Sequence, residues 1–269
     1  MNYNQYTITG IVPAAGNATR ISPIPCSKEI FPVGFEHRGG STRIKVVISH
    51  LLESYAEAGA DQIYLIIQKG KWDIPQYLGY GLEADASLAY IVTEPTKGTH
   101  YTIDLSYPFV KDRMILLGFP DILFKPKNAF TTLLQKQGET GADVVLGLFE
   151  TAKPNKADMV EVDSGGRLRN IVFKPESTTL AYTWAVAAWT PAFTRFLHQF
   201  VSGDRSGARV SENTQGEMYI GDVILEAANS GMIVDTVTFS DGEFIDIGTM
   251  SDLKTALGNG FTGSKTVAE

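Results

Sequence analysis

Residues 7–12 form a short apolar extended run that ends in a loop of small residues, Ala14-Ala15-Gly16-Asn17-Ala18-Thr19-Arg20, with no helical pattern directly after it. A buried strand that stops in a backbone-exposing loop is the device by which α/β proteins approach phosphates. Residues 46–58 then carry apolar groups at helical spacing and stop at Gly59, and Gln62 to Gln68 (QIYLIIQ) reads as a second buried strand. This is a βαβ unit. The alternation continues with strands expected over 87–92, 114–117 and 143–149 and helices over 101–109 and 130–137, which predicts a layered, mostly parallel sheet with helices on both faces. Beyond residue 150 the texture changes. Met159 to Asp163 and Leu168 to Phe173 flank Ser164-Gly165-Gly166 and read as a hairpin, Tyr182 to Trp189 as a strand, and Pro191 opens a helix. Residues 220–230 have helical spacing, 233–239 are strand-like, and Ser251 opens a last helix. The expectation is a single α/β, Rossmann-like domain over 1–257 with a mostly parallel mixed sheet. Its first half spans 1–150, a small β-rich half spans 151–257, and a loose tail covers 258–269.

Composition narrows the partners. With 269 residues, 43% hydrophobic and 20% charged, the chain can bury a full core. A net charge of -7 argues against general nucleic-acid binding. The first 45 residues are nonetheless basic, with Arg20, Lys28, Arg38, Arg43 and Lys45 against Glu29 and Glu36, which fits a local anion site. The single cysteine, Cys26, and four scattered histidines offer neither an internal disulfide nor a closely spaced zinc-ligand pair. The polar N-terminal residues and the lack of a long apolar run predict a cytoplasmic protein without membrane partners.

Arg20 and Lys28 place fixed positive charge beside a loop whose N–H groups can approach a triphosphate. Neither G-x-G-x-x-G nor a Gly-Lys-Ser/Thr phosphate loop is present, and Gly258 to Thr266 only mimics the latter, with Ser264 between Gly263 and Lys265. Asp121 follows the apolar run 114–117 and should sit at the carboxyl edge of the sheet. Asp246 similarly follows an apolar extended stretch.

The stretch from Val12-Pro13-Ala14-Ala15-Gly16 through Arg20 resembles the signature of sugar-1-phosphate nucleotidyltransferases, the glucose-1-phosphate thymidylyltransferases and uridylyltransferases among them. The resemblance continues in order through Gly98-Thr99, the Asp121 segment, Lys174-Pro175, residues 216–222 and Asp246-Ile247-Gly248-Thr249. It implies that a nucleoside triphosphate, with UTP or dTTP favoured, is joined to a phosphorylated small molecule, a sugar 1-phosphate, with release of pyrophosphate. It also implies that Asp121 and Asp246 hold Mg²⁺, that Arg20 and Lys28 cradle the triphosphate, and that Lys174 holds the acceptor phosphate. Glu217 and Trp184 would contact the acceptor body, while Ala14, Ala15, Gly16, Glu94 and Gly98 would bind the nucleotide. Relatives often form dimers or tetramers, so a homo-oligomer is also implied.

Several residues depart from the pattern. Phe173 stands where relatives carry an acidic residue, Trp184-Ala185 replaces smaller residues, and Glu94 stands where thymidylyltransferases have glutamine. An aromatic acceptor pocket suits an alkyl cation, which keeps open a CTP-dependent transfer to a non-sugar such as phosphocholine. A silent nucleotide-binding regulator is the remaining alternative, and retention of both aspartates, Arg20, Lys28 and Lys174 argues against it.

Overall fold

The computed structural model describes residues 6–16, 21–38, 40–81, 86–203 and 219–258. The chain runs β1 (Ile8–Ala14), a hairpin of β2 (Pro32–Arg38) and β3 (Ser41–Val46), α1 (Ser49–Glu57), β4 (Gln62–Gln68), α2 (Asp73–Leu78) and β5 (Ser87–Thr93). There follow α3 (Thr99–Asp104), α4 (Tyr107–Val110), β6 (Met114–Gly118), β7 (Ile122–Lys125), α5 (Ala129–Thr140) and β8 (Val144–Glu150). The second half contains β9 (Asp158–Val162), β10 (Leu168–Phe173), β11 (Tyr182–Trp189), α6 (Pro191–Val201), α7 (Ile220–Asn229), β12 (Val234–Phe239), β13 (Glu243–Asp246) and α8 (Met250–Gly258).

The central sheet has the order β12-β8-β11-β6-β1-β4-β5, and all its strands run parallel except β11, which is antiparallel to both β6 and β8. The β9–β10 hairpin joins β11 through Thr183 and Met159. This is the mixed, mostly parallel α/β sheet the sequence predicts. Strands such as β6 are buried along their whole length, because helices cover both faces of a parallel sheet. Alternate residues of one strand therefore feed two cores: Met114 and Leu116 of β6 face the α1 and α5 side, and Ile115 and Leu117 face α3, α6 and α7. Gly10 permits the close approach of α1, because a Cβ there would lie 2.5 Å from Tyr55 Cδ2. The Tyr55 hydroxyl donates to the Ile11 carbonyl oxygen at 2.8 Å.

Two expected helices differ. The apolar run that begins at Val46 enters its helix only at Ser49, since Val46 closes the β2–β3 hairpin opposite Pro32. The helix expected over 101–109 breaks into α3 and α4. Pro108 has no N–H for the Asp104 carbonyl, so an uninterrupted helix would lose that bond. A β-bulge in β11 sets Trp184 opposite Leu148 but Val186 opposite Gly147, leaving Ala185 extra. Among the described residues no helix is long and apolar enough to cross a membrane.

Candidate active site

β1, β4 and β6 are parallel neighbours, so their carboxyl ends open onto one edge of the sheet. Open α/β sheets hold ligands at this edge. Ala15 and Gly16 leave β1 here, Asp121 lies three residues beyond β6, and Lys28 reaches in from a short 3-10 turn over Lys28–Ile30. The Lys28 ammonium is bonded to the Asp121 carboxylate, and the two side chains are only 15% and 18% exposed. Burial opposes the charge on Lys28, but the Asp121 carboxylate beside it, with Glu29 and Asp246, outweighs that penalty and raises its pKa.

Asp246 reaches the same place by a different route. β13 pairs antiparallel with β7, setting Asp246 opposite Ile122, and Ile247 N donates to the Asp121 carbonyl oxygen at 2.9 Å. The two aspartates, far apart in sequence, are thus adjacent across a two-stranded ribbon. They border different cavities. One, of about 360 Å³, is walled by Ala15, Gly16, Lys28, Gln68, Gly98 and Asp121. The other, of about 400 Å³, is walled by Glu150, Asp158, Trp184, Phe244, Asp246 and Asp252. Thr99, Phe119 and Tyr219 line both, so the cavities are two lobes of one cleft.

Among the described residues no group of three or more His, Cys, Asp or Glu could hold a metal. A pair of carboxylates still fits Mg²⁺, a hard ion that binds one or two carboxylates and takes further oxygens from phosphates and water.

In the second lobe Trp184 packs against Phe119 at 5.7 Å between ring centroids. Lys174 is exposed and sets its ammonium 4.4 Å from the centre of the Tyr219 ring. Its φ of 41° lies in the left-handed region, which is sparsely populated by non-glycine residues. Asp158 is partly buried, and its Oδ1 is shut off from solvent without a hydrogen-bond partner among the described residues. Burial pushes its pKa up to about 6; Lys174 pulls it down and Asp222 pushes it further up.

The structure brings together Ala15, Gly16, Gly98, Lys28, Asp121, Asp246 and Trp184 around the cleft. Ala14 lies just behind it, buried, with its carbonyl turned to Lys71 Nζ at 2.9 Å. Neither Glu94 nor Lys174 is among the residues lining the two lobes; the Glu94 side chain is 73% exposed and sits 3.2 Å from Lys69. Arg20 and Glu217 lie outside the described residues, as does the segment 259–269. Sequence reasoning missed Glu29, Lys71, Asp158 and Tyr219. Only Lys71 carried a local signal, a basic residue in the Lys-Gly-Lys turn directly after a buried strand.

Fold and cleft define a class: an α/β protein with a mixed, mostly parallel sheet and a two-lobed cleft bordered by an aspartate on each lobe at the carboxyl edge of its strands. The profile of the nucleotidyl transferase family matches residues 9–259, and the chain belongs to that family of enzymes. It is 26% identical over 231 residues to the Bifunctional protein GlmU of Pseudomonas fluorescens, a match covering 84% of this chain and 45% of that one. The GlmU of Chromohalobacter salexigens is 23% identical over 240 residues, covering 86% and 47%. The chain thus spans about half the length of these curated relatives. A solved structure of a candidate glucose-1-phosphate thymidylyltransferase from Bacillus anthracis, in complex with sucrose, superposes with a TM-score of 0.79 at 18% identity. It covers 96% of this chain and 97% of that one, and the likeness extends the agreement in fold to nearly the whole chain.

Proposed function

We propose that this chain joins a nucleoside triphosphate, with UTP or dTTP favoured, to a sugar 1-phosphate and releases pyrophosphate. What carries this reading is the meeting of Asp121 and Asp246 at the border of two cavities, with the Lys28 ammonium bonded to the first. One lobe takes the triphosphate and the other the acceptor. An oxygen of the acceptor phosphate attacks the α-phosphorus in line, the α–β bridging P–O bond breaks, and pyrophosphate leaves with its electron pair. No covalent nucleophile is required of the protein, whose task is to neutralise repelling anions and align them. Lys28 and Arg20 hold the triphosphate and the departing pyrophosphate, and the backbone N–H groups of the 15–16 loop approach it closely. Lys174 holds the acceptor phosphate, with Trp184 and Glu217 against the acceptor body. Asp121 and Asp246 would hold Mg²⁺, which would supply positive charge to offset the negative charge of the phosphates.

A second reading has its own support. Phe119, Trp184, Tyr219 and Phe244 wall the acceptor lobe together with Asp158 and Asp252, an aromatic and acidic surface that suits a quaternary ammonium and hence phosphocholine with CTP. Pyrophosphate release with Mg²⁺ separates the two, using ATP, CTP, GTP, UTP and dTTP against sugar 1-phosphates and phosphocholine, with Asp121→Asn as control. Turnover of UTP or dTTP with a sugar 1-phosphate supports the first reading, and CTP with phosphocholine supports the second. Metal-independent nucleotide binding without turnover refutes both and leaves a silent regulator.

A further inference from the structure

The turn after β4 places two side chains behind the nucleotide lobe. Gly70 adopts a φ of 101°, open to glycine and costly for other residues, and Lys71 N donates to the Gln68 carbonyl oxygen at 3.1 Å. The chain therefore doubles back at the end of β4. Because β4 lies parallel beside β1, with Ile67 opposite Ala14, the reversal brings Lys71 onto the end of β1. Lys71 Nζ donates to the Ala14 carbonyl oxygen at 2.9 Å and to Glu29 Oε1 at 2.6 Å. Two residues on, the Asp73 carboxylate accepts from Ser27 N at 2.6 Å and from Ser27 Oγ at 2.7 Å. Both neighbours of Lys28 are thus fastened to the start of α2, Ser27 by Asp73 and Glu29 by Lys71.

Glu29 is the unusual member. Its side chain is 1% exposed, it lines the nucleotide lobe, and its Oε2 is buried without a hydrogen-bond partner among the described residues. A buried carboxylate in a lobe meant for a polyphosphate repels the ligand unless a cation neutralises it. Among the described residues Lys71, itself 14% exposed, is the ammonium in direct contact with it.

We propose that Lys71 is a positioning residue for the nucleotide, a role that rests on the nucleotidyl-transfer reading of the cleft. It cancels the Glu29 charge, holds the carbonyl at the root of the small-residue loop, and fixes the segment that presents Lys28. It touches no reacting atom. Its loss acts on the triphosphate and spares the acceptor lobe, which neither Lys71 nor Glu29 lines.

Lys71→Met, Lys71→Met/Glu29→Gln and Asp73→Asn test this, each read by KM for both substrates and by calorimetric affinity for inorganic pyrophosphate with Mg²⁺. In Lys71→Met the KM for the nucleoside triphosphate rises about tenfold, pyrophosphate affinity falls by a similar factor, and the acceptor KM stays within about twofold. The double variant, which has no unpaired buried charge, recovers most of both losses. Asp73→Asn gives a smaller loss of the same kind, about threefold. If Lys71→Met does not fold, the double variant and Asp73→Asn carry the comparison: affinity near wild type in the former and triphosphate-selective loss in the latter support the role. Triphosphate KM and pyrophosphate affinity within twofold of wild type in Lys71→Met overturn it. So does an equal loss for both substrates without recovery in the double variant, which marks Lys71 as merely structural. A wild type that turns over no substrate pair, yet shows this pyrophosphate pattern, refutes nucleotidyl transfer and leaves the positioning role intact.

Discussion

Asp158 gives the second lobe of the cleft a measurable pH signature. Burial, together with Asp222, raises its pKa from 3.8 to about 6 despite the opposing pull of Lys174, a shift that corresponds to at most about 3 kcal/mol. Since the folded state binds this proton more tightly than the unfolded chain does, the stabilising contribution is complete below about pH 3.8. It is lost as pH rises through about 6. Asp158→Asn removes the titration. Variant and wild type should therefore differ in stability by a constant amount only below about pH 3, and as pH rises from there to about 7 the variant should gain on the wild type by up to about 3 kcal/mol. In a chain of this size that is roughly 2–4 °C of melting temperature per kcal/mol. Urea unfolding at pH 4, 5, 6, 7 and 8 measures the difference directly. Parallel stability curves across that range would refute the assignment, because a group that does not change protonation between the two states cannot bend one curve against the other. Lys174→Met provides an internal control, and should move the bend to higher pH by removing the charge that favours ionised Asp158.

Asp121→Asn and Asp246→Asn should each lower kcat/KM on the order of 100-fold or more, read as pyrophosphate release, with the circular-dichroism spectrum unchanged. Lys28→Met removes a charge from the triphosphate and leaves Asp121 without its ammonium, so triphosphate KM should rise at least tenfold and stability should fall by about 1–3 kcal/mol in chemical denaturation. Gly147→Ala puts a Cβ 2.5 Å from Val186 Cγ2 opposite the β11 bulge. It should cost about 1–3 kcal/mol of stability and raise the acceptor KM more than the triphosphate KM.

Much of the fold is legible because a parallel sheet buried on both faces has to be written as apolar runs, and β4 and β11 fall on 62–68 and 182–189 as the sequence predicts. Strand direction leaves no such trace, so the reversal of β11 within the sheet could not be read. The β2–β3 hairpin escaped for the opposite reason. It forms a separate two-stranded sheet with Phe35 61% exposed, and a strand without a buried face shows no hydrophobic period. At the cleft, the placement of Asp121 after a buried strand was readable. Its proximity to Asp246 was not, because the four-residue strands β7 and β13 are too short to signal their pairing. Lys71 and Glu29 show the same limit: their contact spans 42 positions and depends on which strands are neighbours.

Strand reversal and bulge together explain how the second lobe acquires its wall. Trp184 and Trp189 are five positions apart and in a regular strand would face opposite sides of the sheet. Both nevertheless belong to the core on the α6 and α7 side, whereas Ala185 and Val186, adjacent in sequence, both belong to the other core. The extra residue at Ala185 accounts for this, since two residues sharing one side shift the alternation by one and bring Trp184 onto the Trp189 side. There Trp184 packs against Phe119, which lies between β6 and Asp121. Because β11 is antiparallel to β6, the bulged N-terminal end of β11 is the end that lies beside the carboxyl end of β6, where Asp121 leaves the sheet. A parallel β11 would put Trp189 at that edge and carry Trp184 to the far end of the sheet. The reversed strand thus supplies an aromatic wall to this edge of the sheet, and the bulge turns it toward the lobe.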